Sequence, residues 1–401
     1  MTPGPAALPN SGNDDVATRR QDLAFPAEEY AARLRSVTQA MAAAGLDTII
    51  VTSPENVCYL SGFESVGYFN PQALIVTANG HTVLITRALE LPNARASCAL
   101  ENVVGLLDHQ SLQHVLVAQV AGLGVSQGRI GLDMQSRWLG SALHNALVCA
   151  LPIATFIDAF GIIENARLIK SPLELAAIRA AGQVAANAMR ICLGLIAAGR
   201  SERDVAADIY RTQIASGSDW TGMPFFIASG PRSGRAHVTW SDRTLTHGDP
   251  VFLETNAAHR RYHAAYMRSA YIGPATDSYR SLHAASLAGL DAALSKIRPG
   301  VPASEVDHAC RAAIEARGWA DSFRLRSGYS VGIGFENFGE PLLFSLHRNN
   351  HAPLQAGMVL HIVPYLSDVL LGGAAVSETV IVTSNGAELL APLGRDLVER
   401  H

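Results

Sequence analysis

The chain is organised around the stretch Gly248-Asp-Pro-Val-Phe-Leu-Glu254, which is followed by Arg260-Arg-Tyr-His263 and by Met267-Arg-Ser269. The apolar run that ends on Glu254 predicts a buried strand, opened by a Gly-Asp turn. A second strand is expected next, carrying the residues Arg260 to His263. A carboxylate at the end of a buried strand, facing cations across a hairpin, is either held ready for chemistry or part of a structural ion pair. These residues by themselves favour neither interpretation.

Size and composition predict a soluble cytoplasmic protein. The 401 residues suffice for one large domain or two of ordinary size. The 31 Lys and Arg residues against 35 Asp and Glu give a net charge of -4, with no basic face that would indicate nucleic acid. The apolar runs are too short to span a bilayer, and residues 1–25, read as a flexible tail, lack the apolar segment of a secretory signal.

The five cysteines are scattered and form no Cys-x-x-Cys pair. This spacing argues against a zinc ribbon and against a disulfide framework. No cofactor is predicted from them, and most are interpreted as small core residues.

Residues 26–165 have the pattern of an α/β domain. Apolar residues at helical spacing predict a helix over 26–45, which Gly45 ends. The dipeptide Asn79-Gly80 predicts the turn of a hairpin. Strands are expected at 47–52, 73–77, 81–86, 129–133 and 154–158.

Residues 166–401 form the second predicted domain. Ser171 is a favourable N-cap, Pro172 fits the first helical position, and Glu174 completes a capping box, so a long helix is expected to run to about residue 198. Long helices against a mainly antiparallel sheet would make this an α+β domain. Further helices are predicted at 201–216, 276–297 and 303–317, and strands at 224–228, 250–256, 262–273, 328–334, 358–364 and 375–383.

Several motifs recur in a fixed order along the chain. They are Arg167 to Arg179, Ala228-Ser-Gly-Pro231 before His237, Ser241-Asp-Arg243, Gly248-Asp249, the Gly-Met-Val turn at 357–359 and the strand Glu378 to Thr383. Together they resemble the creatinase and Xaa-Pro peptidase superfamily, over residues 26–395. The resemblance implies an α/β N-terminal domain, a C-terminal α+β domain of the pita-bread (creatinase/aminopeptidase-like) fold, and a homodimer whose partner closes the active site.

The positions at which metal-dependent members of that superfamily carry ligands are mostly replaced. The resemblance places the two Asp ligands at Glu254 and Ala265, the His ligand at Tyr329, and one Glu ligand at Val363. The last carboxylate falls at Ser377 or at its neighbour Glu378. A dinuclear site needs several anionic or imidazole ligands, and Ala and Val have no donor atom. The sequence therefore predicts a protein without metal.

Two segments resemble one metal-free branch, the ectoine hydrolases. They are Glu254 with Arg260 to His263, and Gly328-Tyr-Ser-Val-Gly-Ile-Gly334. Members of this branch are thought to use a glutamate as nucleophile on a cyclic amidine. The loop Phe335 to Glu340 and the segment Phe63 to Tyr68 depart from the branch, which leaves the substrate open.

The predicted roles follow from this chemistry. Glu254 would attack the amidine carbon or activate water. His237 and His361 are candidate proton donors, with a core or strand histidine as the alternative. For substrate binding we name Tyr329 as a hydrogen-bond donor and Arg268 as a guanidinium that fixes Glu254 or a substrate carboxylate. Two further candidates complete the set of substrate-binding residues: Glu378 and Glu340.

The predicted function is a metal-independent hydrolase that opens a C–N bond of a small cyclic amidine or amide, ectoine or a relative. One alternative is a metal-dependent Xaa-Pro peptidase or prolidase, which the ligand positions disfavour. Others are a non-catalytic binding protein and a lyase on the same fold, since one fold hosts several chemistries.

Overall fold

The computed structural model describes residues 22–400. The chain divides into two compact units between Ala166 and Arg167, next to the predicted boundary. Of the predicted flexible tail, residues 1–21 lie outside the described residues. No helix within residues 22–400 is long and apolar enough to cross a membrane.

The first unit is built on one mixed six-stranded sheet in the order β4-β3-β2-β1-β5-β6. Strand β1 runs antiparallel to β2 and parallel to β5, and the predicted hairpin joins β2 and β3. The predicted α/β pattern is confirmed. Its elements are α1 (Ala27–Ala43), β1 (Thr48–Val51), α2 (Pro54–Ser61), β2 (Ala73–Thr77), β3 (Thr82–Arg87), α3 (Leu91–Ser97), β4 (Val103–Leu106), α4 (Leu112–Gly122), β5 (Arg129–Leu132), α5 (Gly140–Ala150), β6 (Thr155–Asp158) and α6 (Ile162–Leu168).

The second unit contains four long helices and three sheets. Its elements are α7 (Pro172–Leu195), α8 (Glu202–Ala215), β7 (Phe226–Ser229), β8 (Pro250–His259), β9 (Tyr262–Ile272), α9 (Asp277–Lys296), α10 (Ala303–Glu315), β10 (Gly328–Val331), β11 (Gly339–Leu346), β12 (Val359–Ile362), β13 (Leu366–Asp368), β14 (Gly372–Ala374), β15 (Glu378–Thr383), β16 (Gly386–Leu389) and β17 (Val398–Arg400). The sheets have the orders β17-β9-β8-β7, β11-β10-β12-β15-β16 and β13-β14.

Helix α7 begins as predicted and packs across β8 and β9. The Ser171 hydroxyl accepts a hydrogen bond from the Glu174 amide, and the Glu174 carboxylate accepts one from the Ser171 amide at 2.7 Å. Such a capping box contributes about 1 kcal/mol to helix stability. The helix ends at Leu195, three residues before the expected end, because Ile196 is extended.

The turn of the β8–β9 hairpin differs from the prediction. Residues Arg260 and Arg261 are not the start of the second strand but the two central residues of the turn, with φ of 53° and 64°. The register explains this, since His259 pairs with Tyr262 and leaves two residues for the connection. Positive φ at both positions is the geometry that a two-residue hairpin needs. The Arg261 guanidinium lies 3.8 Å from the centre of the Trp220 ring, a cation–π contact that offsets part of the backbone strain.

The prediction of a mainly antiparallel sheet in this unit is confirmed, but it omits β11, β13, β14, β16 and β17. Four of these five strands have three or four residues, too few to show a period of two in the sequence. Their existence depends on the strands with which they pair.

Candidate active site

Glu254 lies at the centre of strand β8 with its carboxyl buried and 4% of the residue exposed. It is directly opposite Phe226 on β7 and Met267 on β9, and directly opposed residues share one face of a sheet. The alternative of a structural ion pair, with Arg268 or Arg261, is not realised: within residues 22–400 the Glu254 carboxyl has no hydrogen bond or charged partner. Burial accordingly raises the pKa of Glu254 to about 8.

This face of the sheet forms the wall of a cavity of about 380 Å³, a volume suited to a small ligand. The wall is mostly apolar, and the same aromatic and aliphatic side chains form a buried cluster. Polar groups enter at a few points only. The lining consists of Phe226, Gly234, Ala236, His237, Phe252, Glu254, Met267, Ser322, Arg324, Leu325, Tyr365 and Ser367.

His237 lines this cavity together with Glu254, as the prediction of a shared site requires. Its backbone has φ of 58°, an uncommon conformation for a residue with a side chain. The imidazole packs edge-on against Phe226, with 5.5 Å between ring centroids. Strained backbone is tolerated where the surroundings hold a side chain in place, and here it directs an exposed imidazole to the cavity.

His361 does not have the free ring nitrogen that a proton donor to substrate needs. Its Nδ1 is 3.2 Å from the Tyr329 hydroxyl, and its Nε2 is 2.7 Å from the Ser377 hydroxyl. The ring is fully buried, and burial lowers the pKa of His361 to about 3, with a smaller contribution from the charge of Arg268. The imidazole is therefore neutral at physiological pH.

Among the described residues, Tyr329 is not one that lines the cavity, but the charge of Glu254 acts on its phenol. The ring packs against the apolar cluster that forms the cavity wall. Burial raises the pKa of Tyr329 well above its ordinary value, and the negative charge of Glu254 raises it further. The phenol therefore keeps its proton at all physiological pH values.

Arg268 binds a carboxylate, as expected, but that of Glu378 and not that of Glu254. The hairpin register places Arg268 opposite Leu253, on the other face of the sheet from Glu254. Its Nη2 is 2.8 Å from Glu378, and its Nη1 donates to the Ser377 carbonyl at 2.6 Å. Because side chains alternate along a strand, Arg268 cannot reach the cavity without a change of register.

The two candidates for the last carboxylate position, Ser377 and Glu378, have different surroundings. Glu378 forms buried ion pairs with Arg268 and with Arg395, at 2.8 Å and 3.1 Å. Ser377 instead directs its hydroxyl to His361 and accepts a hydrogen bond from the Met267 amide at 2.6 Å. Ser377 is therefore the residue on the Glu254 side of the strand.

Glu340 is bound to two cations of its own unit. It forms a buried ion pair with Arg167 and a second with Lys170 at 3.3 Å. Burial opposes ionisation, but the fields of Lys170 and Arg167 outweigh it and hold the pKa of Glu340 below its usual range. Among residues 22–400, Glu340 is not one of the side chains that line the cavity, so its predicted contact with substrate has no counterpart in this geometry.

Arg324 is the one cavity-lining cation in the described part of the chain, and sequence reasoning missed it. Its guanidinium donates to the Asp321 carbonyl at 3.0 Å, and the residue is exposed. It lies in an irregular segment before β10, without a motif or a period that would single it out. Only the fold brings it to Glu254.

Comparison with known proteins agrees with this architecture. Residues 176–384, more than half of the chain, match metallopeptidase family M24, and residues 33–169 match the creatinase/prolidase N-terminal domain. The chain belongs to metallopeptidase family M24. The predicted superfamily and its two-domain fold, with a C-terminal pita-bread domain, are thereby confirmed.

The names of similar proteins denote different enzyme activities. The ectoine hydrolase of Halomonas elongata is 27% identical over 94% of this chain and 98% of its own. The probable dipeptidase PepE of Mycobacterium tuberculosis is 31% identical over 90% and 94%. Among solved structures, dipeptidase PepE from Mycobacterium ulcerans has a TM-score of 0.83 at 26% identity, covering 94% of this chain and 99% of its own.

Family M24 implies a metal centre, and the residues present do not fit one. On the hairpin, Ala265 is directly opposite Asn256 and offers no donor atom, and Val363 is an apolar, fully buried side chain. Tyr329 and Ser377 are hydrogen bonded to His361. Within residues 22–400 there is no group of three or more His, Cys, Asp or Glu side chains arranged to hold a metal ion.

Proposed function

We propose that the protein is a metal-independent hydrolase that opens a C–N bond in a small cyclic amidine or amide, with ectoine as the first candidate substrate. The observation that carries the proposal is Glu254, a buried carboxyl without a partner among residues 22–400, on the wall of an apolar cavity. The similarity to an ectoine hydrolase along almost the whole chain supports the same substrate class.

The chemistry of an amidine matches this environment. A cyclic amidinium is a planar cation with an electrophilic carbon between two nitrogens. Its charge would lower the pKa of Glu254 on binding and leave a carboxylate against the carbon. Glu254 then attacks the carbon, or takes a proton from the water that attacks it. His237, at the exposed side of the cavity, is placed to exchange protons with the substrate or with water.

The test is a panel of ectoine, lactams, creatine and Xaa-Pro dipeptides, assayed for ring or amide opening. Ectoine ring opening by the purified protein is the expected result. The dipeptidase relatives favour the alternative of a peptidase. Cleavage of an Xaa-Pro dipeptide only after addition of Mn²⁺, without ring opening, would establish that alternative.

Removal of metal is expected to leave ring opening unchanged, because Ala265 and Val363 provide no ligand atoms. The measurement is the rate after dialysis against a chelator, with elemental analysis of the same sample. A PepE dipeptidase treated in parallel is the control for effective chelation. Two bound metal ions per subunit, or loss of the rate together with recovery on metal addition, would refute metal independence.

Arg324→Met is expected to raise the KM for ectoine by roughly tenfold and to change kcat little, because its guanidinium would bind the ectoine carboxylate. A control substrate that has the ring of ectoine but lacks its carboxylate should show no such change of KM. Arg326→Met is the matched control, since Arg326 donates to the Ser345 hydroxyl and is not a lining residue of the cavity. An equal change of KM for both substrates would contradict carboxylate recognition.

A further inference from the structure

Three side chains form one hydrogen-bonded chain, which starts at the apolar cluster that forms the cavity wall. The Tyr329 hydroxyl, the His361 imidazole and the Ser377 hydroxyl are linked at 3.2 Å and 2.7 Å. The cross-strand register places Tyr329 opposite His361. The resemblance places Tyr329 at a ligand position of the metal-dependent members, and Ser377 or its neighbour Glu378 at another.

The backbone favours one direction of proton donation along this chain. The Met267 amide donates to the Ser377 oxygen at 2.6 Å, which leaves the Ser377 proton available for His361 Nε2. A neutral imidazole that accepts at Nε2 carries its proton on Nδ1, so it donates to the Tyr329 oxygen. The Tyr329 proton is then not needed within the chain and is available to a ligand.

Neighbouring residues hold the hydrogen-bonded side chains Tyr329, His361 and Ser377 in place. Arg268 donates to the Ser377 carbonyl at 2.6 Å, and Ser377 in turn donates its amide to the Met267 carbonyl. Phe338 packs against the His361 ring, with 5.9 Å between centroids. Both Ser377 and His361 are fully buried, so water does not compete for their hydrogen bonds.

We propose that Tyr329 is the catalytic acid that protonates the leaving nitrogen, and that His361 and Ser377 are positioning residues that orient its hydroxyl. The inference rests on the proposed function, because it assigns a proton donor for the same C–N cleavage. Tyr329 is fitted for the role because its ring packs against the apolar cluster of side chains that forms the cavity wall.

The step balances in atoms and charge. When the C–N bond breaks, its electron pair goes to nitrogen, which takes the Tyr329 proton. The phenolate is stabilised by the His361 Nδ1–H. Tyr329 recovers a proton from the water molecule that the hydrolysis consumes, whose oxygen ends on the former ring carbon. No oxidant or further reactant is needed.

Tyr329→Phe is expected to lower kcat for ectoine by about 10²–10³-fold with KM within about threefold, as loss of a general acid predicts. p-Nitrophenyl acetate has a leaving group that needs no proton, so its hydrolysis at Glu254 should change less than about twofold. Ser377→Ala should lower kcat for ectoine about tenfold, and Ser377→Thr, which keeps the hydroxyl, should restore it. An equal loss for both substrates in Tyr329→Phe would overturn the assignment.

A measurement without substrate separates this inference from the proposed function. In protein labelled with ¹⁵N-histidine, the His361 signals, assigned by their absence in His361→Asn, should report a neutral ring protonated at Nδ1. A ring protonated at Nε2 would overturn the direction of donation, whatever the substrate. A third outcome is possible: ectoine is not opened, the aryl ester is hydrolysed, and the His361 tautomer is as expected. In that case ectoine is not the substrate, and the roles assigned to Tyr329, His361 and Ser377 stand.

Discussion

Glu254→Gln is expected to abolish ring opening and, at the same time, to stabilise the protein in alkaline solution. Glutamine keeps the shape of the side chain but has no nucleophilic or basic carboxylate, so kcat/KM for ectoine should fall by about 10⁴-fold. Retained turnover would exclude Glu254 as nucleophile and as base. Trapping of an ester at Glu254, detected by mass spectrometry, would distinguish covalent attack from activation of water.

The effect on stability follows from the raised pKa of Glu254. Burial raises this pKa from 4.5 to about 8. Between these two values the folded protein holds the proton and the unfolded chain has lost it, so stability falls as pH rises. The loss is complete above about pH 8 and is on the order of 5 kcal/mol. The Gln variant avoids it, so its advantage over the wild type should grow from pH 4.5 to 8.

Urea unfolding at pH 5, 7 and 9 measures this difference. Glu388→Gln is the matched control, because its hydrogen bond to Arg179 lowers the pKa of Glu388 and the sign is opposite. At this position the wild type should have the higher free energy of unfolding at neutral pH, and this difference should disappear on acidification. A Glu254→Gln advantage that does not depend on pH would contradict the shifted ionisation.

The same ionisation predicts the pH profile of catalysis. The free enzyme must lose the proton of Glu254 before it reacts, so kcat/KM for ectoine should rise with pH and level off above about pH 8. The profile of kcat should be flatter, since the bound amidinium stabilises the carboxylate.

Arg268→Met is expected to be among the most destabilising single substitutions in the second unit. The guanidinium is 1% exposed and donates to the Glu378 carboxylate and to four carbonyl oxygens, those of Met267, Ser377, Leu393 and Gly394. Without this guanidinium the buried Glu378 keeps only the partly exposed Arg395 as a charged partner, and breaking a buried ion pair costs about 3–5 kcal/mol. The carbonyl oxygens left without a donor add to this cost.

A double-mutant cycle measures the coupling. Arg268→Met, Glu378→Leu and the double variant are compared by urea unfolding, and the double variant should be less destabilised than the sum of the single ones. Arg179→Met, in the partly exposed ion pair with Glu388, is the control and should cost about 0–1 kcal/mol. If Arg268→Met and Arg179→Met lowered the free energy of unfolding equally, the buried ion pair would contribute no more to stability than the partly exposed one.

Prediction from sequence was most accurate where the determinants are local. Capping by Ser171 and Glu174, the Asn79-Gly80 turn and the apolar run before Glu254 each act within a few residues, and the corresponding helix, hairpin and strand are present. The assignment of Arg260 and Arg261 to a strand was wrong because a one-residue choice of register decides between strand and turn.

The partners of the charged side chains were not accessible from sequence. Arg268 and Glu254 are on adjacent strands, yet they face opposite sides of the sheet and bind different surroundings. Arg324 reaches the cavity of Glu254 from a segment 70 residues further along the chain. Tyr329, on the following strand, packs against the apolar cluster that forms the cavity wall. Such proximity depends on the packing of two sheets, to which no local pattern corresponds.

The sequence by itself determined the family and the two-domain organisation, because these depend on residue identity in a fixed order. Only the tertiary structure decided that Glu254 is buried without a partner among residues 22–400, that Arg268 belongs to Glu378, and that Tyr329, His361 and Ser377 form one chain. The physical reason is that burial and hydrogen bonding are properties of the folded surroundings, and these are assembled from segments far apart in the sequence.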